Sequence, residues 1–334
     1  MDETLPAPTR AAVKEAVTLA VHAPSIHNTQ PWRWVYRHGV LELHADRSRQ
    51  LPVLDPDGRS LLLSCGAALE LARLGLAVRG WRTDLNRMPD PGRPDLLARI
   101  RPLGRTAVDP AWVERSAAAE RRYSDRRPFR AEPVADRMVD SLVAAATDDG
   151  VYAAAVQRPD ERLDLAVAFS WADQVETDDP GYRAELAHWT RHEGEDAPDG
   201  VPASAIPRAV PGSPRHTDVP VRDFEAGVSG GQILPEGIDE QPLYLVVFTT
   251  GDGREARVRA GEAYARASVE AERLGLGSSA MTQAVDLPAV RERFRALMDW
   301  PDHPQMVMRV GWPQEGPRPQ PTGRRPLSAV LTFG

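Results

Sequence analysis

The sequence predicts an α+β protein that consists of two tandem, degenerate halves. Helical and strand-like segments are mixed without regular βαβ alternation, and this mixture is typical of α+β folds. In addition, "ELARLGL" at 70–76 recurs as "EAERLGL" at 270–276, each time at the end of a long alanine-rich segment. Tandem repetition of this kind is typical of a homodimer whose two copies have become fused. We therefore expect an intramolecular pseudo-dimer, with one half at 1–118 and the other at 119–334.

Five segments have the composition and the flanking residues of helices. They span 10–22, 60–74, 134–147, 160–176 and 254–274. Pro24 should end the first of them, because proline cannot continue a helix. Gly75 and Gly275 are the sixth residues of the two copies of the string and directly follow the predicted helices, where the end of a helix often requires a left-handed residue. We expect both glycines to end their helices in that conformation.

The string "WRWVYRHGVLELHA" at 32–45 is typical of a β-hairpin. Its two halves are rich in β-formers, and His38–Gly39 lies between them as a candidate turn. Trp32 and Trp34 alternate along the first strand and point to one side, so we expect both in the core.

Three further segments are predicted to be strands, and one long segment is predicted to be a loop. The strands span 96–104, 242–250 and 305–313, and the second of these, "PLYLVVFTT", has the residues of a buried strand. Residues 191–240 are rich in Pro, Gly, Asp and His and show no sustained periodicity. A loop of this length in a compact domain is usually a lid or a binding loop, or is disordered. We interpret it as a lid inserted into the second half.

Composition restricts the classes of function. The chain has 334 residues and a formal net charge of −7, which disfavours a general nucleic-acid or membrane-surface role. No run of about 18 apolar residues is present, so no membrane span is expected. Cys65 is the single cysteine and is expected to be a buried thiol, which excludes a disulfide framework within the chain and favours the cytoplasm. Lys14 is the single lysine, so any phosphate held by cationic side chains must be held by arginine.

The string "RYSDR" at 122–126 is a candidate phosphate grip. Arg122, Ser124 and Arg126 alternate, so in an extended segment they share one face, where two guanidiniums and a hydroxyl can bind one phosphate. A solvated basic loop is the alternative interpretation. Neither a G-x-G-x-x-G string nor a Walker A string is present, so the phosphate is not expected to be held in those ways.

Three other strings have the residues of a ligand site. "PSIHNTQPW" at 24–32 is a stiff polar loop between two prolines that could face a heteroaromatic edge, or could simply cap the neighbouring backbone. "LGLGSSAMTQ" at 274–283 offers small residues against which a flat ring can lie. "PTGRRPLSAV" at 321–330 adds Arg324 and Arg325, as further phosphate donors or as part of a charged tail.

In this arrangement, R-x-S-x-R, P-S-x-x-N-x-Q-P-W, L-G-L-G-S and G-R-R-P resemble the FMN-binding nitroreductase superfamily. The two degenerate halves resemble its Acg branch, which consists of fused-dimer FMN-binding proteins of actinobacteria. The resemblance covers nearly the whole chain and implies a nitroreductase-like fold. In that superfamily one subunit grips the phosphate and its partner supplies the loop under the flavin ring. Here the loop occurs only in the first half and the grip only in the second, so we expect two pseudo-equivalent clefts, of which one binds FMN.

The resemblance implies one FMN per chain and a set of residues that bind it. These are Pro24, Ser25, Ile26, Asn28, Gln30, Arg122, Ser124, Arg126, Ser278, Ser279, Ala280, Met281, Arg324 and Arg325. Backbone N–H groups near Ser279, Ala280 and Met281 are expected to approach the flavin N5. No side chain is assigned a catalytic role, and no metal site is expected, because the eight histidines show no convincing ligand spacing.

The resemblance implies an oxidoreductase in which NAD(P)H reduces FMN and a nitro compound, a quinone or a related small molecule is the acceptor. Two alternatives stay open. The protein could hold FMN under the lid without turnover, or it could be an FMN oxidase or dehydrogenase of natural-product biosynthesis. Because the dimer would be fused, the chain could act as a monomer.

Overall fold

The computed structural model describes residues 7–191, 197–208, 219–220, 222, 224, 232–233, 241–319 and 321–334. Within these residues, helices and strands form a mixed order around two main β-sheets. This arrangement confirms the α+β class that the sequence predicts.

The helices begin and end at the following residues. They are α1 (Arg10–Ala20), α2 (Arg59–Ala77), α3 (Pro110–Arg121), α4 (Asp136–Ala146), α5 (Pro159–Asp178), α6 (Pro180–Trp189), α7 (Arg254–Arg273), α8 (Gln283–Asp286), α9 (Pro288–Leu297) and α10 (Leu327–Val330). The five predicted helices are confirmed as α1, α2, α4, α5 and α7. α3 and α6 have no counterpart among the predicted segments. Each begins with a proline, after an aspartate, Asp109 or Asp179, whose carboxylate caps the first turn.

The four strands at 190–233 have two residues each, and the other described strands are longer. They are β1 (Trp32–Arg37), β2 (Val40–Ala45), β3 (Trp81–Arg87), β4 (Leu96–Arg105), β5 (Val151–Val156), β6 (Thr190–Arg191), β7 (Val201–Pro202), β8 (Pro207–Arg208), β9 (Gln232–Ile233), β10 (Leu243–Thr249), β11 (Gly277–Met281), β12 (His303–Gly311) and β13 (Leu331–Phe333). The predicted hairpin is confirmed as β1 and β2. His38 and Gly39 both have positive φ, of 48° and 75°, as the turn of a two-residue hairpin requires. The three other predicted strands are confirmed as β4, β10 and β12.

The strands assemble into a five-stranded and a four-stranded sheet. Their orders are β13-β1-β2-β4-β3 and β11-β12-β10-β5. β13, at the end of the chain, lies parallel to β1 near its beginning, so the second predicted half contributes a strand to the sheet of the first. The predicted boundary after residue 118 falls inside α3. The division into 1–118 and 119–334 stays a prediction.

The core is built around the two sheets and the helices α2 and α7. One cluster joins the first sheet to α1 and α2, and it includes Trp32 and Trp34, which are fully buried as predicted. Side chains of β10 alternate between the two faces of the second sheet. One face packs against α4 and α7, and the other packs against α5 and α9. β11 lies at the edge of this sheet, directly after α7.

Gly75 does not end a helix, and the prediction for it is wrong. It lies within α2, which continues to Ala77, whereas Gly275 has a φ of 78° just beyond α7, as predicted. A Cβ atom at Gly75 would lie 2.7 Å from the Cα of Ala16. The glycine is therefore explained by the close approach of α1 to α2 and not by a helix end.

α2 is long and apolar enough to cross a membrane by length and composition alone. However, 78% of its most apolar window is buried inside the protein. A helix at the centre of a hydrophobic core can have the same length and apolar composition, and α2 lies in such a core.

Candidate functional site

A cleft lies at the N-terminal part of α2, and the space inside it, counted together with the solvent at its mouth, is about 820 Å³. Both predicted halves contribute to its wall. Seven of the predicted residues line it. They are Pro24, Ser25, Ile26, Ser124, Arg126, Ser279 and Ala280. The structure therefore brings the loop, the phosphate-grip string and the small-residue string to one place.

The other predicted residues lie near this wall without forming it. They are Asn28, Gln30, Arg122, Ser278, Met281, Arg324 and Arg325. Met281 is 1% exposed and belongs to the core of the second sheet. Ser278 joins the grip string to β11, because the backbone N–H of Asp125 donates to its carbonyl oxygen at 2.9 Å.

The loop at 24–31 is held in an unusual conformation. His27, Asn28 and Gln30 have φ angles of 43°, 55° and 50°, and residues other than glycine adopt the left-handed region only at a cost in energy. The hydroxyl of Ser25 accepts the N–H of Gln30 at 3.0 Å, and the hydroxyl of Ser64 accepts the N–H of Ile26 at 3.1 Å. The loop is thus closed on itself and fixed to α2.

Asn28 and Gln30 support the loop from behind. The amide of Asn28 donates to the carbonyls of Gly200 and Gly323, at 3.0 and 3.1 Å. Gln30 is fully buried, and its amide donates to the carbonyl of Pro198 at 2.8 Å. Both side chains therefore bind protein backbone, and their part in the site is to position the loop.

Arg325 belongs to the same support. Its backbone N–H donates to Oε1 of Gln30 at 2.8 Å, and its guanidinium donates to the carbonyl of Gln30 at 2.9 Å. An ion pair of 3.6 Å joins it to Asp46. Arg324 also supports the loop, because its guanidinium donates to Oδ1 of Asn28 at 3.3 Å. Its Nε has no partner among the described residues and it forms no ion pair there, so Arg324 is the better candidate for a ligand.

Three arginines of the site form no ion pair within the described part of the chain. Arg122 is buried, whereas Arg126 and Arg324 are partly exposed, and each keeps at least one buried guanidinium nitrogen without a hydrogen bond. Arg122 also donates to the carbonyl of His22 at 3.1 Å, and Arg324 donates to Oδ1 of Asn28 at 3.3 Å. Burial lowers the pKa of Arg126 to about 10, and burial together with the nearby Arg122 lowers the pKa of Arg324 to about 9. All three are still charged at neutral pH. Buried charges without a counter-ion are costly, so the cluster is suited to bind an anion.

This donor set fits the phosphate of FMN. A phosphate dianion carries three acceptor oxygens, and planar guanidiniums bind such oxygens through charge-assisted hydrogen bonds. Burial is the main reason why the pKa of His22 is lowered, and the charges of Arg324 and Arg122 lower it further. Both guanidiniums therefore lie near His22. The residues present therefore suit an anionic end of a ligand beside the wall of the cleft.

Another part of the wall fits a flat ring. β11 is the last strand of its sheet and pairs with β12 along one edge. Its other edge meets the grip string at Ser278, so some of its backbone N–H groups face away from the sheet. Ser279 and Gln283 each keep a buried polar atom without a partner, and both line the cleft. Ile26, Leu63 and Met306 add apolar surface.

Several residues of the wall carry a weak signal in the sequence, or none. Ser60 and Ser64 are one turn apart in an otherwise apolar helix, and this spacing marks a polar face on α2. Tyr264 is a single large side chain in the alanine-rich part of α7. Arg222 and Phe224 come from the predicted lid, where the sequence has no periodicity from which their position could be inferred.

Arg222 is the centre of a buried polar network beside the cleft. Its guanidinium donates to Glu176 of α5 at 3.0 Å and to Asp286 of α8 at 3.1 Å. Ser60 donates to the same Asp286 at 2.8 Å. Burial lowers the pKa of Arg222, but Glu176 and the other acidic neighbours outweigh this and raise it overall. The network holds Arg222, which belongs to the predicted lid, against α5 and α8. Most of the other residues at 209–240 lie outside the described residues.

The chain is similar to proteins of Mycobacterium tuberculosis over nearly its whole length. It is 38% identical to "Putative NAD(P)H nitroreductase Rv3131" over 332 residues, which are 98% of this chain and 92% of the relative. It is 33% identical to "Putative NAD(P)H nitroreductase acg" over 320 residues, which are 96% of this chain and 95% of the relative. No protein-family model matches the chain.

A solved structure with a weaker likeness is a nitroreductase with bound FMN from Bacteroides fragilis. It is 13% identical, with a TM-score of 0.40, and the match covers 64% of this chain and 95% of the other. A likeness of that size carries no inference about the site.

Proposed function

Because the chain belongs to the nitroreductase family that includes Acg, we propose that it is an FMN-dependent oxidoreductase. We propose further that NAD(P)H is the electron donor and that a nitro compound, a quinone or a related molecule is the acceptor. The relatives are named for NAD(P)H and for nitroreductase activity, and this supports the proposal. For a quinone, NAD(P)H, a proton and the quinone would give NAD(P)⁺ and the hydroquinone.

One observation in the structure carries the proposal. Among the described residues, three guanidiniums without carboxylate partners, each with one buried unpaired nitrogen, lie at or beside a cleft whose wall contains residues of the loop at 24–31. Arg122, Arg126 and Arg324 would hold the phosphate, and Ser124 would add a hydroxyl. The wall at Pro24, Ser25, Ser279 and Ala280 would hold the ring. When bound, FMN supplies hydride and electron transfer.

The residues of this chain would place the cofactor and exclude water. The loop at 24–31 is rigid before any ligand binds, because Ser64, Gln30 and Arg325 hold it. Leu63, Met306 and Phe224 give the cleft apolar walls that strengthen the electrostatic contacts inside it. We assign no proton transfer to a side chain.

A second candidate function is FMN storage without turnover. Arg222 and Phe224, from the predicted lid, line the cleft, and Phe224 is 8% exposed. A segment that covers the ring would exclude donor and acceptor alike.

One assay separates the two functions. Purified protein loaded with FMN is mixed anaerobically with NADPH or NADH, and the flavin absorbance is followed. The oxidoreductase predicts prompt bleaching with at least one donor and recovery of the colour when menadione is added. Persistent colour with both donors, in protein whose flavin dithionite still bleaches, would contradict it and favour storage.

A further inference from the structure

His27 lies in the wall of the cleft in a conformation that the loop imposes. Its φ is 43°, and only 6% of its surface is exposed. Arg126, Arg222 and Phe224 line the same part of the cleft, and the ring of Phe224 meets the imidazole edge-on at 5.8 Å. His27 thus lies where the loop faces the inserted segment.

The contact with Arg222 determines which imidazole nitrogen carries the proton. Nη1 of Arg222 lies 2.7 Å from Nε2 of His27. A guanidinium can only donate, so Nε2 must accept. Burial and the nearby charges of Arg222 and Arg126 lower the pKa of His27 well below its usual value, so the ring is neutral. A neutral ring whose Nε2 accepts carries its proton on Nδ1.

That Nδ1–H group is buried and has no acceptor among the residues that the structure describes. An unpaired buried donor destabilises the folded protein. Arg222 cannot turn away to release the ring, because Glu176 and Asp286 hold its other nitrogen at 3.0 and 3.1 Å. The arrangement therefore leaves a fixed, neutral donor on a residue that lines the cleft.

We propose that His27 binds the electron acceptor, by donating a hydrogen bond from Nδ1 to a nitro or carbonyl oxygen. This proposal rests on the proposed oxidoreductase function. The flavin ring is assigned to the wall at Pro24, Ser25, Ser279 and Ala280, whereas His27 faces Phe224 and Arg222. An acceptor between the ring and these residues would turn its oxygen toward Nδ1.

Two variants at this position separate donation from packing. His27→Asn keeps a side-chain N–H close to the place of Nδ1, and asparagine tolerates the left-handed conformation. His27→Leu has nearly the same size as the asparagine variant but cannot donate. In protein already loaded with FMN, reoxidation of the leucine variant by menadione should require roughly tenfold more quinone than reoxidation of the parent, and the asparagine variant should recover most of this loss.

The half-reactions are measured separately by rapid mixing of the FMN-loaded protein. If NADPH does not reduce the flavin, dithionite can reduce it before menadione is added, so that a failure of the proposed donor does not stop the test. Equal menadione dependence in the parent and the leucine variant would overturn the proposal. So would equal losses in the leucine and asparagine variants, because these would indicate packing alone.

A spectroscopic measurement tests the same proposal without turnover. In the FMN-loaded protein with ¹⁵N-labelled histidine, NMR distinguishes the two neutral tautomers, and the His27→Asn variant assigns the signal. We expect Nδ1 to be protonated and Nε2 to be bare. A His27 signal from the Nε2–H tautomer or from the imidazolium would overturn the proposal even if the leucine variant did not fold.

Discussion

Gly66 and Gly261 occupy reciprocal places where α2 and α7 cross. A Cβ atom at Gly66 would lie 2.0 Å from the carbonyl oxygen of Val258, and one at Gly261 would lie 2.0 Å from that of Leu63. Gly66 and Gly261 are 195 positions apart, and so are Leu63 and Val258. This exchange is the contact pattern of a two-fold axis. It supports the proposal of a fused dimer.

Alanine at either glycine should destabilise the protein strongly. The new methyl group would meet a main-chain carbonyl, which cannot move away as a side chain can, so we expect a loss of about 3 kcal/mol or more for each variant. Urea unfolding of Gly66→Ala and Gly261→Ala measures this. Gly251→Ala is the control, since no atom lies within 4 Å of its added Cβ. Unfolding midpoints equal to the control's would show that the two helices do not pack this closely.

The crossing of α2 and α7 relates the two halves by 195 positions, whereas the repeated string at 70–76 and 270–276 relates them by 200. The two copies of the string therefore do not occupy equivalent places at this crossing.

Removal of one phosphate donor should weaken FMN binding specifically. Arg126→Ala loses a charge-assisted contact, and we expect a cost of about 1.5–3 kcal/mol, or roughly tenfold to more than a hundredfold in Kd. Riboflavin has the same ring without the phosphate, so its Kd should change far less. Arg130→Ala is the matched control, because Arg130 pairs with Glu132 near the surface. Titration of the apoproteins by quenching of flavin fluorescence gives each Kd. An unchanged Kd for FMN would refute the phosphate assignment.

Glu42 should make stability depend on pH in the acid range. Burial raises its pKa, but hydrogen bonds from Arg99, His44 and Arg37 outweigh this and lower the pKa from 4.5 to about 2. A carboxylate with a lowered pKa stabilises the fold above its unfolded value, and this contribution is lost as the pH falls. The lost contribution is about 3 kcal/mol between pH 4.5 and 2.

The measurement compares the parent with Glu42→Gln by urea unfolding at a series of pH values. The difference in free energy of unfolding should be constant above pH 5 and should shrink toward pH 2. Glu132→Gln, in an exposed ion pair, should show no comparable trend. A difference for Glu42→Gln that does not change with pH would contradict the assignment.

Local signals in the sequence predicted the longest helices and strands, which are α2, α5, α7, β4 and β12. β10 and the hairpin of β1 and β2 were predictable because β-branched residues, aromatic residues and turn residues mark them. α3 was equally marked by Asp109 and Pro110, a capping residue followed by an N-terminal proline. The prediction for Gly75 was wrong, because a glycine after a helical string can mark either the end of a helix or a close contact between two helices. Only the packing of Ala16 against it distinguishes the two.

Residues of the candidate site were predictable only where several of them are close together in the sequence. Four strings indicated the loop, the grip, β11 and the C-terminal arginines. The sequence could not tell Arg324 from Arg325, because their difference depends on Gln30 and Asp46, which lie almost 300 positions away. Nor could it place Arg222, whose partners Glu176 and Asp286 lie on separate helices. Such contacts are set by the tertiary fold and leave no local pattern.

Titration of the apoprotein with FMN tests the central claim most directly. One FMN site, with Arg122, Arg126 and Arg324 as the phosphate donors, predicts quenching that saturates at one FMN per chain. In addition, Arg122→Ala and Arg324→Ala should each weaken that single site. Saturation at two FMN per chain would contradict a single complete site, and protein that takes up no FMN would contradict the account as a whole.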